Sequence, residues 1–395
     1  MRQDVVIIGA GIVGLSTAWQ LLNMKPGLRV TVLEKEAEIA KHQTGNNSGV
    51  IHSGVYYTPG SAKAINCKRG YQLLLDFCDK EGIPYDLCGK IIVATEDEEL
   101  PLLHEIYKKG IKNGLEKIHL ISAGEIKAVE PHSTGIKGIR VPEAGIIDYR
   151  EVAKKLSQII IANGAYLGTN QTVTGLKNGE VITKDKTYAT ELIINCAGLY
   201  SDKIARMTHP DLDIKILPFR GEYFVLKPEK ADLVNGLIYP VPDPAFPFLG
   251  VHLHKKIDGT VEAGPNAVLA FRREGYSNTA VYLPELFETL GYPGFRKIAK
   301  KYWRKGWNEI YRSFSKKAFT KALQKLIPEI RESDLVKGGA GVRAQACDIN
   351  GNLLNDFYFV EDKGVIHVCN APSPAATSGL AIGETIAQKA IGQLE

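Results

Sequence analysis

The chain lacks the cysteine pattern of a disulfide-stapled or zinc-binding protein. Its six cysteines stand at 67, 78, 88, 196, 347 and 369, with no C-x-x-C pair and no histidine spaced to complete a zinc site. Such scatter reads as free, mostly buried thiols in a reducing compartment, and no metal is expected. Also missing is any run approaching the ~18 uninterrupted apolar residues of a membrane span. The start, Met1-Arg2-Gln3-Asp4, leads into a short apolar stretch with no cleavage region. The expected location is cytoplasmic, with peripheral contact at the inner face of the cell membrane left open. No internal repeat is visible. Strong net charge is absent too: 49 Lys+Arg against 44 Asp+Glu gives +5 over 395 residues. That average argues against a nucleic-acid partner.

What is present is an ordinary globular composition, 44 % hydrophobic and 24 % charged, long enough for two domains. Glycine is in excess, 39 of 395, which points to tight turns or close backbone approach to a ligand. Residues 4–8 (DVVII) read as a buried strand, 12–23 as a helix packed on it, and 29–33 as a second strand ending at Glu34. Polar, Gly-rich residues 41–61 read as a functional loop. Helices are expected at 62–81, 96–113, 151–163, 295–326 and 378–391. Strands are expected at 89–95, 171–176, 180–183 and 191–197, antiparallel strands at 214–226 and 249–263, and a hairpin within 356–369. The order implies an α/β chain: a Rossmann-like dinucleotide-binding domain with an inserted α+β domain built on an antiparallel sheet. The first comprises 1–87, 140–213 and 330–395; the second comprises 88–139 and 214–329.

Gly9-Ala10-Gly11-Ile12-Val13-Gly14 fits G-x-G-x-x-G between a strand and a helix, with Glu34 twenty positions on. Gly9 permits the turn, Gly11 lets backbone approach a pyrophosphate, and Gly14 allows close helix–strand packing. The helix N-terminus attracts phosphate, and Glu34 suits ribose hydroxyls. Lys35 follows in the same cofactor-facing segment. The unit alone does not separate FAD from NAD.

The stretch Lys41–Gly54 (KHQTGNNSGVIHSG) resembles the loop that lies along FAD in the D-amino-acid oxidase / glycerol-3-phosphate dehydrogenase superfamily. The resemblance implies cofactor contacts at Thr44, Asn47 and Ser48. It also implies an adenine contact at Val173, a second Gly turn at Ala197-Gly198, and a flavin-facing loop at Pro374, Ala375, Ala376 and Thr377. A plain helix cap by Thr377 or Ser378 is the simpler role for that loop. Gly339-Ala340-Gly341-Val342-Arg343 resembles the strand whose Arg holds a substrate carboxylate. The motifs HSGVYYTPGS (52–61), PFRGEY (218–223), FLGVH (248–252) and NAPSPAATS (370–378) together resemble the L-2-hydroxyglutarate oxidase/dehydrogenase family, over nearly the whole chain. His254, where that family often has Thr, departs from the pattern.

The resemblance implies FAD-dependent oxidation of a 2-hydroxy acid, foremost L-2-hydroxyglutarate to 2-oxoglutarate. Hydride would pass to flavin N5 and electrons onward to a quinone or O2. That chemistry needs a carboxylate clamp and a proton acceptor. Arg343 is the expected clamp, because a guanidinium binds carboxylate bidentately. His52 is the expected base and His252 a substrate-binding residue, although either imidazole could take the proton. Arg220 is a further catalytic candidate, with pairing to Glu222 as its structural alternative. Tyr57 is a candidate pocket residue. Lys63, Lys255 and Arg272 compete for a distal carboxylate. Cys347 and Cys369 read as buried thiols, although some relatives attach FAD through Cys. An amine or D-amino-acid oxidase is the alternative enzyme. A non-catalytic flavin-bearing protein bound to membrane or RNA is a second alternative.

Charge is uneven. Residues 296–325 hold eleven Lys/Arg and one acid, interleaved with Tyr302, Trp303, Trp307, Tyr311, Phe314 and Phe319. That pattern suits an anionic bilayer surface and equally a solvated helix packed by its aromatics.

Overall fold

A computed structural model describes residues 2–243, 250–277 and 279–395, the side chains of 304, 305, 307–312 and 314 excepted. Phe248 and Leu249 of the FLGVH motif therefore lie outside the described residues. So do the side chains of Arg304, Lys305, Trp307, Glu309, Tyr311, Arg312 and Phe314.

The first three elements form as expected: strand Gln3–Ile8, helix Ile12–Met24 and strand Val30–Leu33. Both strands are almost wholly buried, because helices cover one face of the parallel sheet and Val173, Leu176, Val181 and Ile204 cover the other. Gln3–Ile8 pairs in parallel with Val30–Leu33 on one side and Thr187–Asn195 on the other. Tyr166–Gly168 and Val365–Asn370 extend the parallel set. The helices Ile12–Met24 and Tyr149–Ala162 bury their apolar residues in its core, together with Leu380, Ile382 and Ile386 of helix Gly379–Leu394.

The second sheet is mostly antiparallel and nine-stranded among the described residues. Its longest pair is Ile214–Leu226 with Leu335–Asp348, running from Ile214↔Asp348 to Leu226↔Leu335 with one register shift between Glu222 and Phe224. Residues 335–348, grouped by sequence with the cofactor segments, thus hydrogen-bond along their length in this second sheet. The expected strand at 249–263 is two strands, His252–Lys255 and Val261–Gly264. Gly259 adopts φ +85° between them, and the Lys256 amide donates to the Thr260 carbonyl, which closes a turn. The 191–197 strand begins earlier, at Thr187, because residues 187–189 pair antiparallel with Glu180–Thr183.

One buried ion pair links the two sheets. Asp202, fully buried beyond the Thr187–Asn195 strand, meets both guanidinium ends of Arg273. Arg273 also donates to the Leu199 carbonyl, and Asp202 accepts from the Ile216 amide. Removing Arg273 leaves the buried Asp202 with only the more distant Arg206, at 3.4 Å, and loss of a buried partner costs up to about 3–5 kcal/mol. Arg273→Ala should therefore lower the thermal midpoint sharply, and Arg273→Met/Asp202→Leu should lower it less than Arg273→Ala does. Thermal melts of the three variants check this.

Candidate active site

The glycine turn has the shape its spacing implies. Gly9 has φ +105°, and a β-carbon there would sit 2.5 Å from the Cys196 carbonyl oxygen. At Gly14 it would sit 2.0 Å from the Gly9 oxygen, so strand and helix touch through backbone. Gly11 differs: a β-carbon would meet only Thr44 Oγ1, at 3.3 Å. Gly11 caps the helix without a side-chain bond, and no acid occupies the first turn. The Ile12 amide donates to Thr44 Oγ1 over 3.0 Å. This open, positive helix end with a hydroxyl beside it fits a pyrophosphate.

Glu34 accepts from the Ala10 amide at 2.9 Å and the Glu36 amide at 3.0 Å, which fixes its carboxylate at the strand end. Lys35 turns to Glu274 at 2.6 Å and to Glu36, with His42 at 3.0 Å. Glu36, His42 and Glu274 lie close enough to share a metal, and the Lys35 ammonium is bonded among all three. Asn47 holds its own loop: its amide donates to Gln43 and Thr44 carbonyls while its oxygen accepts from Gly49. Ser48 is partly buried beside it. Val173 is buried at the start of its strand. The Ala197 amide donates to Asn195, and a β-carbon at Gly198 would press on Gln43 Oε1.

The second half of the loop meets the C-terminal segment. Thr377, fully buried, accepts from the His52 amide at 3.1 Å and lies 2.7 Å from the Tyr149 hydroxyl. Neither Thr377 nor Ser378 caps the last helix through its side chain, and the Ser378 hydroxyl is buried without a partner among the described residues. The Ala375 and Ser378 amides are spent inside the loop, on Pro372 and Pro374. At Gly341 a β-carbon would lie 2.7 Å from the Asn46 oxygen, which sets the Arg343 strand against the cofactor loop.

Arg343 pairs with Phe219, whereas Arg220 pairs with Val342, so the two arginines occupy opposite faces of the sheet. Arg343 is partly buried, and its charge reaches His52, His252, Tyr223, Tyr239 and Lys63. Arg220 is instead buried with Glu222 at 3.3 Å and the Ser277 carbonyl at 3.0 Å. The structure does not bring Arg220 to the two histidines.

His252 is buried and stacked on Tyr239, with ring centroids 3.9 Å apart. Its Nδ1 lies 2.8 Å from the Gly250 carbonyl. A carbonyl only accepts, so Nδ1 carries the proton and Nε2 keeps its lone pair. Burial, then His254, Lys90 and Arg343, hold His252 well below the ordinary imidazole range. His52 is pushed down to about 3 by burial and then by Lys90, Lys63 and Arg343. Both imidazoles are therefore neutral at pH 7.

Lys90 was not singled out by sequence. It begins the strand Lys90–Ala94, whose five residues are all buried. The signal in the sequence is the apolar run Ile91–Ala94 behind it, which marks a strand inside a sheet but leaves open which way its first side chain turns. Of the three distal-carboxylate candidates, Lys63 stands near Arg343 and over the Tyr57 ring at 5.1 Å. Lys255 shares the face of Leu253, opposite His252, and Arg272 lies 4.0 Å from Glu274 in the Lys35 network. Cys347 and Cys369 are buried thiols pushed up to about 12 by burial.

Comparisons with known proteins agree with this architecture. Residues 4–389 match the family described as FAD dependent oxidoreductase. A protein of Indibacter alkaliphilus named L-2-hydroxyglutarate dehydrogenase is 55 % identical, covering 99 % of each chain. The human mitochondrial protein of that name is 46 % identical, covering 98 % of this chain and 88 % of its own. Among solved structures, L-alpha-glycerophosphate oxidase of Mycoplasma pneumoniae superposes with TM-score 0.79 at 24 % identity, covering 100 % of this chain and 95 % of that one. Glycine oxidase of Geobacillus kaustophilus gives TM-score 0.74 at 16 % identity, covering 99 % and 95 %. These two report the fold. With the glycine turn, Glu34 and the cofactor loop in place, this chain belongs to the FAD dependent oxidoreductase family.

Proposed function

We propose that the protein oxidises L-2-hydroxyglutarate to 2-oxoglutarate. The observation that carries this reading is the sign of the pocket: Lys90, Lys63 and Arg343 all bear on one partly buried imidazole, His52. A substrate with two carboxylates neutralises such a field, whereas an amino acid would bring another cation into it. The names of the relatives support the same substrate.

Bound FAD supplies the two-electron acceptor; the chain's own groups supply position and proton transfer. Arg343 holds the carboxylate next to the hydroxyl carbon. An imidazole takes the hydroxyl proton. Sequence favoured His52 for that step, but the Nδ1–Gly250 bond and the Tyr239 stack support His252 Nε2 as the acceptor. His52, anchored through its amide to Thr377, then serves in substrate binding, and Tyr57, under the Lys63 ammonium, lines the same pocket. Glu34 and Thr44 would hold the cofactor, with the Asn47-ordered loop.

Anaerobic addition of L-2-hydroxyglutarate should bleach the yellow holoenzyme and yield 2-oxoglutarate. Arg343→Ala should retain FAD and need about 100-fold more substrate for the same bleaching, as expected for a lost charge-assisted clamp. Bleaching by an amino acid but not by the hydroxy acid would overturn the assignment, and no bleaching by either would favour a binding protein.

We infer further that the protein contacts a membrane surface, which would suit a quinone as acceptor; O2 is the other candidate. Among the described residues no helix is long and apolar enough to cross a membrane. Helix Leu283–Gly291 exposes Leu283, Phe287 and Leu290 along one side, with Val281 and Tyr282 exposed just before it. Helix Pro293–Phe314 follows, exposing Arg296, Lys297, Lys300 and Lys301. Apolar side chains beside a basic helix match an anionic interface. Sedimentation with anionic vesicles should be strong, weak with neutral vesicles, and lost in Leu283→Glu/Phe287→Glu. Equal recovery of that variant with anionic vesicles would refute this surface.

A further inference from the structure

Lys90 is 1 % exposed, and among the described residues its ammonium is held by aromatic ring faces rather than by a carboxylate. Its Nζ lies 4.1 Å from the Tyr239 ring centroid and 5.6 Å from that of Tyr56. Ring faces stabilise an ammonium, but they do not replace the hydration it gave up. Close by, the Tyr56 hydroxyl is buried with no hydrogen-bond partner among the described residues. A buried hydroxyl without an acceptor, beside a buried lysine held only by ring faces, is expensive in a folded protein and calls for an account. A ligand anion provides one.

We propose that Lys90 Nζ and Tyr56 Oη form the subsite for the distal carboxylate of a 2-hydroxy dicarboxylate, with Arg343 holding the proximal one. The proposal rests on the hydroxy-acid reading above and adds the residue pair that selects a dicarboxylate over a monocarboxylate. Three features support it. Lys90 and Arg343 both act on His52 and on His252, so the two cations flank the same pair of imidazoles. Lys90 shares a sheet face with Tyr239, the ring that carries His252. And the side chain is charged when it is needed: burial lowers it to about 8, which leaves the ammonium predominant at pH 7. A proton-accepting role for Lys90 fits less well, because the neighbouring imidazoles are already neutral and the lysine is not. The groups facing it are Tyr56, Tyr239, His52, His252, Cys67 and Cys88, and none is a carboxylate.

The test is binding of glutarate and butyrate to FAD-loaded protein, followed by perturbation of the flavin absorbance, which needs no turnover. Wild type should bind glutarate about 50-fold or more tighter than butyrate, as a charge-assisted contact implies. Lys90→Met should abolish that preference and leave butyrate affinity within about threefold. Tyr56→Phe should weaken glutarate by roughly tenfold with butyrate unchanged. In wild type, glutarate affinity should fall as pH rises through about 8, and in Lys90→Met it should not. A preference that survives in Lys90→Met, or equal loss of both ligands, would overturn the subsite. Failure of wild type to oxidise L-2-hydroxyglutarate while the preference behaves as stated would instead overturn the substrate and leave the subsite standing.

Discussion

Positive charge held away from water is the constraint around which this site is organised. Lys90 is buried against aromatic rings, Lys63 is partly buried over Tyr57, and Arg343 projects from the longest strand pair. Each cation lowers the proton affinity of His52, and two of them act likewise on His252. The same field does two jobs. It attracts an anionic substrate, and it keeps two imidazoles in the neutral form that accepts a proton.

The fold tolerates this charge because rigid elements surround it. The second sheet hides aliphatic side chains on one face, with Ile91, Val93, Leu253 and Phe319 in one cluster, and turns Lys90, His252 and Tyr239 to the other. Packing holds the cofactor loop from two directions, Gly341 against Asn46 and Thr377 under His52, and Gly70 in turn packs on Ser378, where an added β-carbon would lie 2.5 Å from the Cα. Arg273 and Asp202 lock the two sheets together. Ser313, on the long basic helix, bonds Glu222, the partner of Arg220. The surface helix is thus tied to the sheet strand that neighbours Arg343.

The cofactor half was legible because its signals are local. Gly9, Gly11, Gly14 and Glu34 sit in one strand–turn–helix–strand unit, where spacing alone dictates which backbone atoms touch. The substrate half depends on register between strands far apart in sequence. Arg220 in PFRGEY and Arg343 in GAGVR were both candidates for the site, and only the Phe219↔Arg343 and Arg220↔Val342 pairing separates their faces. Lys90 escaped notice because a lysine opening the run GKIIVAT reads as an exposed strand end. Its burial follows from the neighbours on either side, Leu237–Pro240 and Lys137–Val141, neither of which was assigned as a strand. The two histidines were found, but their roles turn on one hydrogen bond to Gly250 that residue type does not encode.

The pH dependence of kcat/KM tests this account most directly. With His52 displaced to about 3 and His252 also well below its usual range, the proton acceptor stays neutral across mildly acidic and neutral pH. With Lys90 near 8, substrate capture weakens only on the alkaline side. The account predicts a profile with no acid limb at the ordinary imidazole value of about 6.5 and a fall above about pH 8. A rate that declines as pH drops through about 6.5 would show an imidazole without the surrounding cations, and would contradict it.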